Sequence, residues 1–535
     1  MLDSGTSPSS ADGPQTRAAF GGHLLAQLPS DRSAGPAAPP IGTEEVNRMN
    51  SECTGIWAVV PSTVKVGETF WAGVKVLTEP YVVGAACYSP FLSVQGRYNV
   101  SPRGITYMDN VPRSWTGTIQ IEGGNAYEGP TRVSFKHGQG PYPNDHRPIR
   151  RIGPITFTEP GVHFVTFTEP STGATQTSNP IWVSEEEPSE RLFWGDLHSQ
   201  TFFSDGLRCP EELYAFARNE AFLDIFALSD HSEMLSDRQW EYFVSVTNDF
   251  NAPERFVTLL GQEWTSQKWG HRNIYFSGES GPILRCNDPV WGELLKLYEA
   301  ARSHGALVIP HHSANAVMGV EWSLGHDPQV ERLVEIYSVW GNSERAVGQG
   351  NPRPIRVTGG EKKGQHVMDA LHLGRRFGFV AGGDIHDGRP GDDLHIYQEK
   401  PENYRRLYRQ GIMGIWSRKL TREGIFEALW NRRVYATTNI RILLRFYVAG
   451  HPMGSEIKHT GPIPIAVECT SEVPIRRVDL VRNGLDHLQF EPNCREVHWN
   501  GQDLPETSTS WYYVRVTRED GEMAWSSPIW VTVDG

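Results

Sequence analysis

A unit that recurs between about residues 192 and 440 constrains the fold more than any other feature of this chain. Each copy has an amphipathic helical segment, then a short apolar run, then polar residues. PEELYAFARNEAF carries Pro210 at its first helical position and sets Leu213, Phe216 and Ala217 on one face; DIFALSDH follows at once. WGELLKLYEAARSHG leads into ALVIPHH, and GQHVMDALHLGRRFG into FVAGGDIH. An apolar run without alternation reads as a strand buried on both faces, as in a parallel sheet covered by helices. The unit predicts an α/β region over 187–445, either a barrel or a doubly wound sheet.

The flanks have a different period. In 49–186, GIWAVVPSTVKVGETFWAGVKVLTE and ITFTEPGVHFVTFTEPSTGATQTSNPIWV alternate apolar with polar residues between Pro and Gly breaks. Period-two strands at this spacing predict an N-terminal β-sandwich. Alternation returns in PIPIAVEC, SWYYVRVT and SPIWVTV, which predicts a smaller C-terminal β domain over 446–535. Both flanks close on an SxPIWV phrase. Residues 1–48 are Ser-, Pro-, Gly- and Ala-rich and have too little apolar surface to offset the entropy of ordering, so a disordered tail is expected there.

The chemistry is carried by the polar residues that follow the apolar runs. GDLHSQTFFSDG supplies His198, Gln200 and Asp205, and FALSDH supplies Asp230 and His231. LLGQEW supplies Glu263, WGHRNIYF His271, and LVIPHH both His311 and His312. EIYSVWG supplies Glu335, and VAGGDIHDGRPG supplies Asp384, His386 and Arg389. At the C-terminal rim of barrel strands such groups converge. Mixed imidazole and carboxylate donors suit zinc, manganese or iron. Eleven of the 19 histidines fall between 195 and 400, a modest excess, so the ordered placement after strand ends matters more than the count. Glu335 and Asp230 are expected to orient ligands, whereas Arg353 and Arg441 are weaker candidates for substrate contact.

Composition removes several classes of function. The net charge of −13, from 50 basic and 63 acidic residues, argues against a nucleic-acid partner, which needs a basic field. No apolar run reaches 18 residues, so no membrane-spanning helix is expected. Six cysteines without CxxC spacing, and an N-terminus without a basic-then-apolar leader, give the expectation of a reducing, cytoplasmic setting. No GxSxG phrase is present, which disfavours a covalent serine route.

The phrases WGDLHSQ, GHRNIYF, IPHHSAN, VEIYSVWG, GGDIHDGRPG, LTREGIFEALWNRRVYATTNIRILL and PMGSE stand in this order over about 180–460. Together they resemble the PHP (polymerase and histidinol phosphatase) superfamily of metal-dependent hydrolases, and within it the DUF3604 group. The resemblance implies a distorted (β/α)7 barrel flanked by β-sandwich-like domains and holding two or three divalent ions (Mn, Zn or Fe). Carried over, one ion takes His198, Glu263 and Asp384. A second takes the bridging Glu263, His271 and either His311 or His312. A third takes Asp205, His231 and His386. The superfamily's first motif is usually His-x-His, and here its second position is Gln200. The implied function is metal-dependent hydrolysis by a metal-bridging hydroxide, most simply of a phosphoester in a small molecule, anionic ones included. Glu263, Asp384 and His386 are the expected catalytic residues, with Arg389 and Gln200 touching substrate. Two alternatives stand beside it: hydrolysis of a carboxylic ester, amide or other C–X bond at the same site, and ligand binding by a degenerate barrel.

Overall fold

The computed structural model describes residues 52–85, 106–356, 359–392, 408–505 and 507–533; the expected tail over 1–48 lies outside them. The N-terminal strands, between Gly55 and Ser184, form small sheets of four, three and four strands, with a two-stranded pair beside them. Ile56, Val74, Ile119, Ile155, Phe157, Phe167 and Ile181 fill the core between these sheets. These are the apolar positions of the alternating text, turned inward by the two-residue period of a strand.

The central region starts with β1 (Arg191–Asp196), α1 (Pro210–Asn219), β2 (Ile225–Ala227), α2 (Asp237–Phe250) and β3 (Val257–Ser266). Leu213, Phe216 and Ala217 of α1 are buried, as their spacing requires. Ser236 caps α2 by accepting from the Gln239 amide, while the Gln239 side chain reaches back to the Ser236 amide. β1, β2 and β3 are parallel neighbours. β4 (Gly270–Phe276) then folds straight back on β3, and β5 (Leu307–Pro310), reached through α3 (Leu294–Ser303), runs antiparallel to β4. β6 (Leu333–Ser338) and β7 (Gly378–Ala381) are parallel to each other in a separate small sheet, with α4 (Val367–His372) between them in the chain. β8 (Ile412–Ser417) lies antiparallel to β1, and after α5 (Arg422–Trp430), β9 (Val434–Thr437) lies antiparallel to β8.

The expectation of a (β/α)7 barrel is overturned. The protein is mostly β, with 41% strand against 13% helix, and has only five α-helices among the described residues. The β3–β4 link is a hairpin that turns at Gly270, φ 83°, where the barrel pattern requires a helical crossover. An apolar run buried on both faces looks the same locally whether its neighbour is parallel or antiparallel, which is why the text around Glu263 and His271 suggested a barrel.

The sheet also continues past residue 445. β10 (Leu443–Val448) pairs with β11 (Ile463–Arg482), and β11 with β12 (Thr509–Arg518). β13 (Met523–Ser526) bridges β12 to β9 of the central region, and β14 (Ile529–Val533) pairs with β12. One hydrogen-bonded path therefore runs from β5 to β10 through both regions. Among the described residues no helix is long and apolar enough to cross a membrane.

Candidate metal centre

Backbone ties bring the polar strand ends together. Asp196, the last residue of β1, accepts from the His198 amide at 2.9 Å and the Gly383 amide at 2.8 Å, joining the loops after β1 and β7. The second loop can approach only because it is glycine. A Cβ on Gly382 would sit 2.5 Å from Glu335 Oε2 and 2.7 Å from His198 Cβ. Asp230 accepts from the Thr201 amide and hydroxyl and from the Ser204 hydroxyl, which holds the loop carrying Asp205. Two residues of the cluster, His312 (φ 32°) and Asp384 (φ 49°), have left-handed backbones, a strain that costs roughly 1–3 kcal/mol and concentrates at functional sites.

Glu263 on β3 is the hub. Its Oε1 lies 2.9 Å from His271 Nδ1 and 3.2 Å from His311 Nε2. Its Oε2 accepts from Gln200 Nε2 at 3.1 Å and lies 3.4 Å from His231 Nδ1 and 3.6 Å from His198 Nε2. Around it the donor atoms form three sets, each with its atoms within 4.8 Å of one another: His198, His311 and Asp384; His271, His311 and His312; Asp205, His231 and His386. All nine ligand candidates read from the sequence are therefore in one cluster, and both histidines of the His-His pair take part.

The donor chemistry fits divalent cations. His198 Nε2, His271 Nε2, both His311 nitrogens, His312 Nδ1, Asp384 Oδ2 and Gln200 Oε1 are buried without a hydrogen-bond partner. Each such atom costs about 1–3 kcal/mol if nothing meets it. Asp205 Oδ1 lies 3.1 Å from His386 Nε2 and 3.3 Å from His231 Nε2 but is aligned to hydrogen-bond with neither, as expected of groups aimed at a common centre. Burial, with the neighbouring His198, pushes His311 down to about 4, and burial with His311 and His271 holds His312 well below the usual range. Both rings are thus neutral near pH 7 with a lone pair to offer. Burial opposes charge on Glu263, but its His231 and His311 neighbours, with His198 close by, outweigh it and keep the carboxyl well below its ordinary value.

Other sequence candidates are placed elsewhere. Arg389 is buried, with Nη1 3.1 Å from Asp109 and Nη2 2.9 Å from Asp392, and lies over the Phe216 ring. Its charge ties the N-terminal sheets to the central region. Arg353 pairs with Glu522, and Arg441 donates to the Ala221 and Phe222 carbonyls. Glu335 does meet a ligand candidate, its Oε2 lying 3.0 Å from His198 Nδ1. Sequence reasoning missed Asp196 and Thr265, whose hydroxyl is 2.6 Å from His231 Nδ1; Trp340, which the sequence puts near the rim, lies over His312 at 5.7 Å between ring centroids. Asp196 stood within the GDLH phrase, two residues before the ligand candidate His198; nothing local marked Thr265.

The chain matches the family described as "Protein of unknown function (DUF3604)" over residues 207–346 and 375–468. An uncharacterized protein of Chlamydia pneumoniae is 32% identical over 403 residues, and one of Chlamydia trachomatis serovar D is 30% identical. In both alignments 71% of this chain and 63% of the relative are covered, so the match spans less than two thirds of the relatives' length. Among solved structures, a Bacteroides uniformis beta-glucuronidase is similar at 8% identity over 90% of this chain and 61% of that one, with a TM-score of 0.15.

Proposed function

We propose that this protein is a metal-dependent hydrolase of the PHP type that cleaves a phosphoester in a small molecule. The carrying observation is the set of buried imidazole and carboxylate atoms left without hydrogen-bond partners around Glu263. The three donor sets would hold divalent ions, with Glu263 between them. Such ions lower the pKa of bound water and neutralise charge developing on an oxyanion.

The chain's own residues prepare the site. Glu335 Oε2 accepts from His198 Nδ1–H, which leaves Nε2 as the lone-pair atom. Thr265 donates to Glu263 Oε1 at 3.3 Å, so its oxygen accepts from His231 Nδ1–H and leaves Nε2 of that ring facing Asp205. Gln200 steadies Glu263 with its amide nitrogen and keeps Oε1 for a cation or substrate. Asp205, with 31% of its side chain exposed, marks the side from which substrate enters. The phosphoester and the superfamily are supported by the ordered sequence phrases. Scattered cysteines support a reducing, cytoplasmic setting.

Metal analysis of full-length protein purified without chelator tests the centre, and a panel assayed with manganese or zinc tests the substrate. At least two equivalents of metal per chain and metal-dependent phosphoester cleavage are expected. Metal-free protein after loading would refute the centre. Turnover of carboxylic esters or amides with phosphoesters untouched would refute the substrate class.

A further inference from the structure

We propose that His312 closes one metal position, so that His271, His311, His312 and Glu263 form a zinc-selective anchor while Asp205, His231 and His386 form the open, exchangeable position. The proposal rests on the reading of the cluster as a metal centre and goes further, in giving its positions different ions and different tasks.

The first observation is donor number and type. His311 and His312 rings lie 4.3 Å apart at 88°, and His271 and His312 rings 4.8 Å apart at 63°. Glu263 Oε1 is within 3.2 Å of a nitrogen on both His271 and His311. Three imidazoles and one carboxylate are a complete set for zinc, whereas a position that must accept water or substrate keeps three protein ligands. A nitrogen-rich set also favours zinc over manganese or magnesium, which prefer oxygen.

The second observation is the condition of His312 itself. It is 4% exposed, its Nδ1 has no hydrogen-bond partner, and its backbone is held at φ 32°. A strained residue with a buried orphan nitrogen is destabilising twice over unless something coordinates that nitrogen. Trp340 packs on the ring from a patch with Met318, Val339 and Ile385, which keeps water from that face. The third observation is contrast. The Asp205 set offers one carboxylate and two imidazoles, and the Asp205 side chain is 31% exposed. That position exchanges with solvent, and its carboxylate accommodates manganese.

The test uses full-length protein loaded with zinc, then dialysed against excess manganese with a weak chelator, and reads metal content by mass spectrometry. Wild type should retain one zinc per chain and take manganese elsewhere. His312→Ala should release that zinc at least tenfold more readily. His312→Gln, which keeps a polar group of similar reach, guards against misfolding and should show the same loss; circular dichroism of the metal-free proteins checks both folds. Asp205→Asn should lose manganese and keep the zinc. Cobalt in place of zinc should show the strong visible bands of a four-coordinate ion in wild type and weak ones in both His312 variants. Zinc held as in wild type by both His312 variants overturns the proposal. So does an Asp205→Asn protein that loses the tight zinc and keeps manganese. Wild-type protein that binds no metal at all would instead sink the reading of the cluster as a metal centre.

Discussion

Gln200 occupies the place where the resembled pattern has histidine, and its amide does two things that imidazole divides differently. Nε2 donates to Glu263 Oε2 at 3.1 Å, and Oε1 remains free and buried. A ring bound to a cation through one nitrogen keeps a single N–H in a fixed direction. Gln200→His is therefore expected to bind metal at least as tightly yet turn over more slowly, because a displacement of about 1 Å at a reacting centre can cost around a hundredfold. Metal titration beside steady-state kinetics checks this, and tighter binding with equal or faster turnover would be the contrary result. At this scale the sequence was informative for residues that touch the centre directly. His198, Glu263, His311 and Asp384 each follow an apolar run, so position and chemistry coincide; His271 instead opens its strand, Gly270–Phe276. Asp196 and Thr265 act through partners on other strands, and no local pattern names a partner. Arg389 shows the converse: DGRPG sits beside the ligand candidates Asp384 and His386 in the sequence, but burial against Asp109, 280 residues away, claims its charge.

Elements are joined by buried charge as well as by hydrogen-bond ladders, and this gives the fold an acid limit. Glu331, just before β6, accepts from Arg272 Nε of β4 at 2.8 Å, from the Tyr298 hydroxyl of α3 at 2.6 Å and from His326 Nδ1 at 2.9 Å; Arg375 lies at 4.0 Å. Burial alone would raise its pKa, but Arg272, His326 and Tyr298 bring it down to about 2. The folded value lies below the unfolded one, so the stabilisation is full above roughly pH 4.5 and is lost as pH falls toward about 2. Glu331→Gln should thus be strongly destabilised at pH 7, where Arg272 loses its partner, and the gap to wild type should narrow by pH 3. The full shift corresponds to about 3 kcal/mol at 1.36 kcal/mol per unit. Urea unfolding at both pH values measures it; an unchanged gap would mean that Glu331 is not the group being titrated. The helices and strands so tied were legible in outline, since α1 and the apolar runs fall where periodicity put them. Strand direction was not, because the β3–β4 hairpin and a helical crossover leave the same pattern in each strand.

The molecule as a whole depends on contacts that cross residue 445, where the sequence changes from helix-and-strand units to plain alternation. That change is real in the text, yet alternation says nothing about which strand a new one will join. β13 joins β9, pairing Ser526 with Tyr435. Beneath that seam Glu344, buried, accepts from Arg515 Nη1 at 2.6 Å, the Tyr513 hydroxyl at 2.5 Å and Trp525 Nε1 at 2.9 Å, all from the C-terminal strands. A chain ended at residue 445 would keep Glu344 and lose all three donors. The cut would also strip Tyr513, Trp525 and Trp530 from the cluster they form with Val334, Tyr337 and Phe379, and exposing each large apolar side chain costs about 1.5–3 kcal/mol, against the roughly 5–15 kcal/mol that holds a typical domain. It would also bare the edge of β9, which invites pairing with other chains. The truncated protein should therefore aggregate or fail to melt cooperatively, and should hold less metal than the full chain. A soluble 1–445 chain with the full-length melting temperature and metal content would show that the C-terminal strands are a separable domain; its absence would mean that the candidate metal centre on β1–β7 depends on a sheet completed nearly a hundred residues later in the chain.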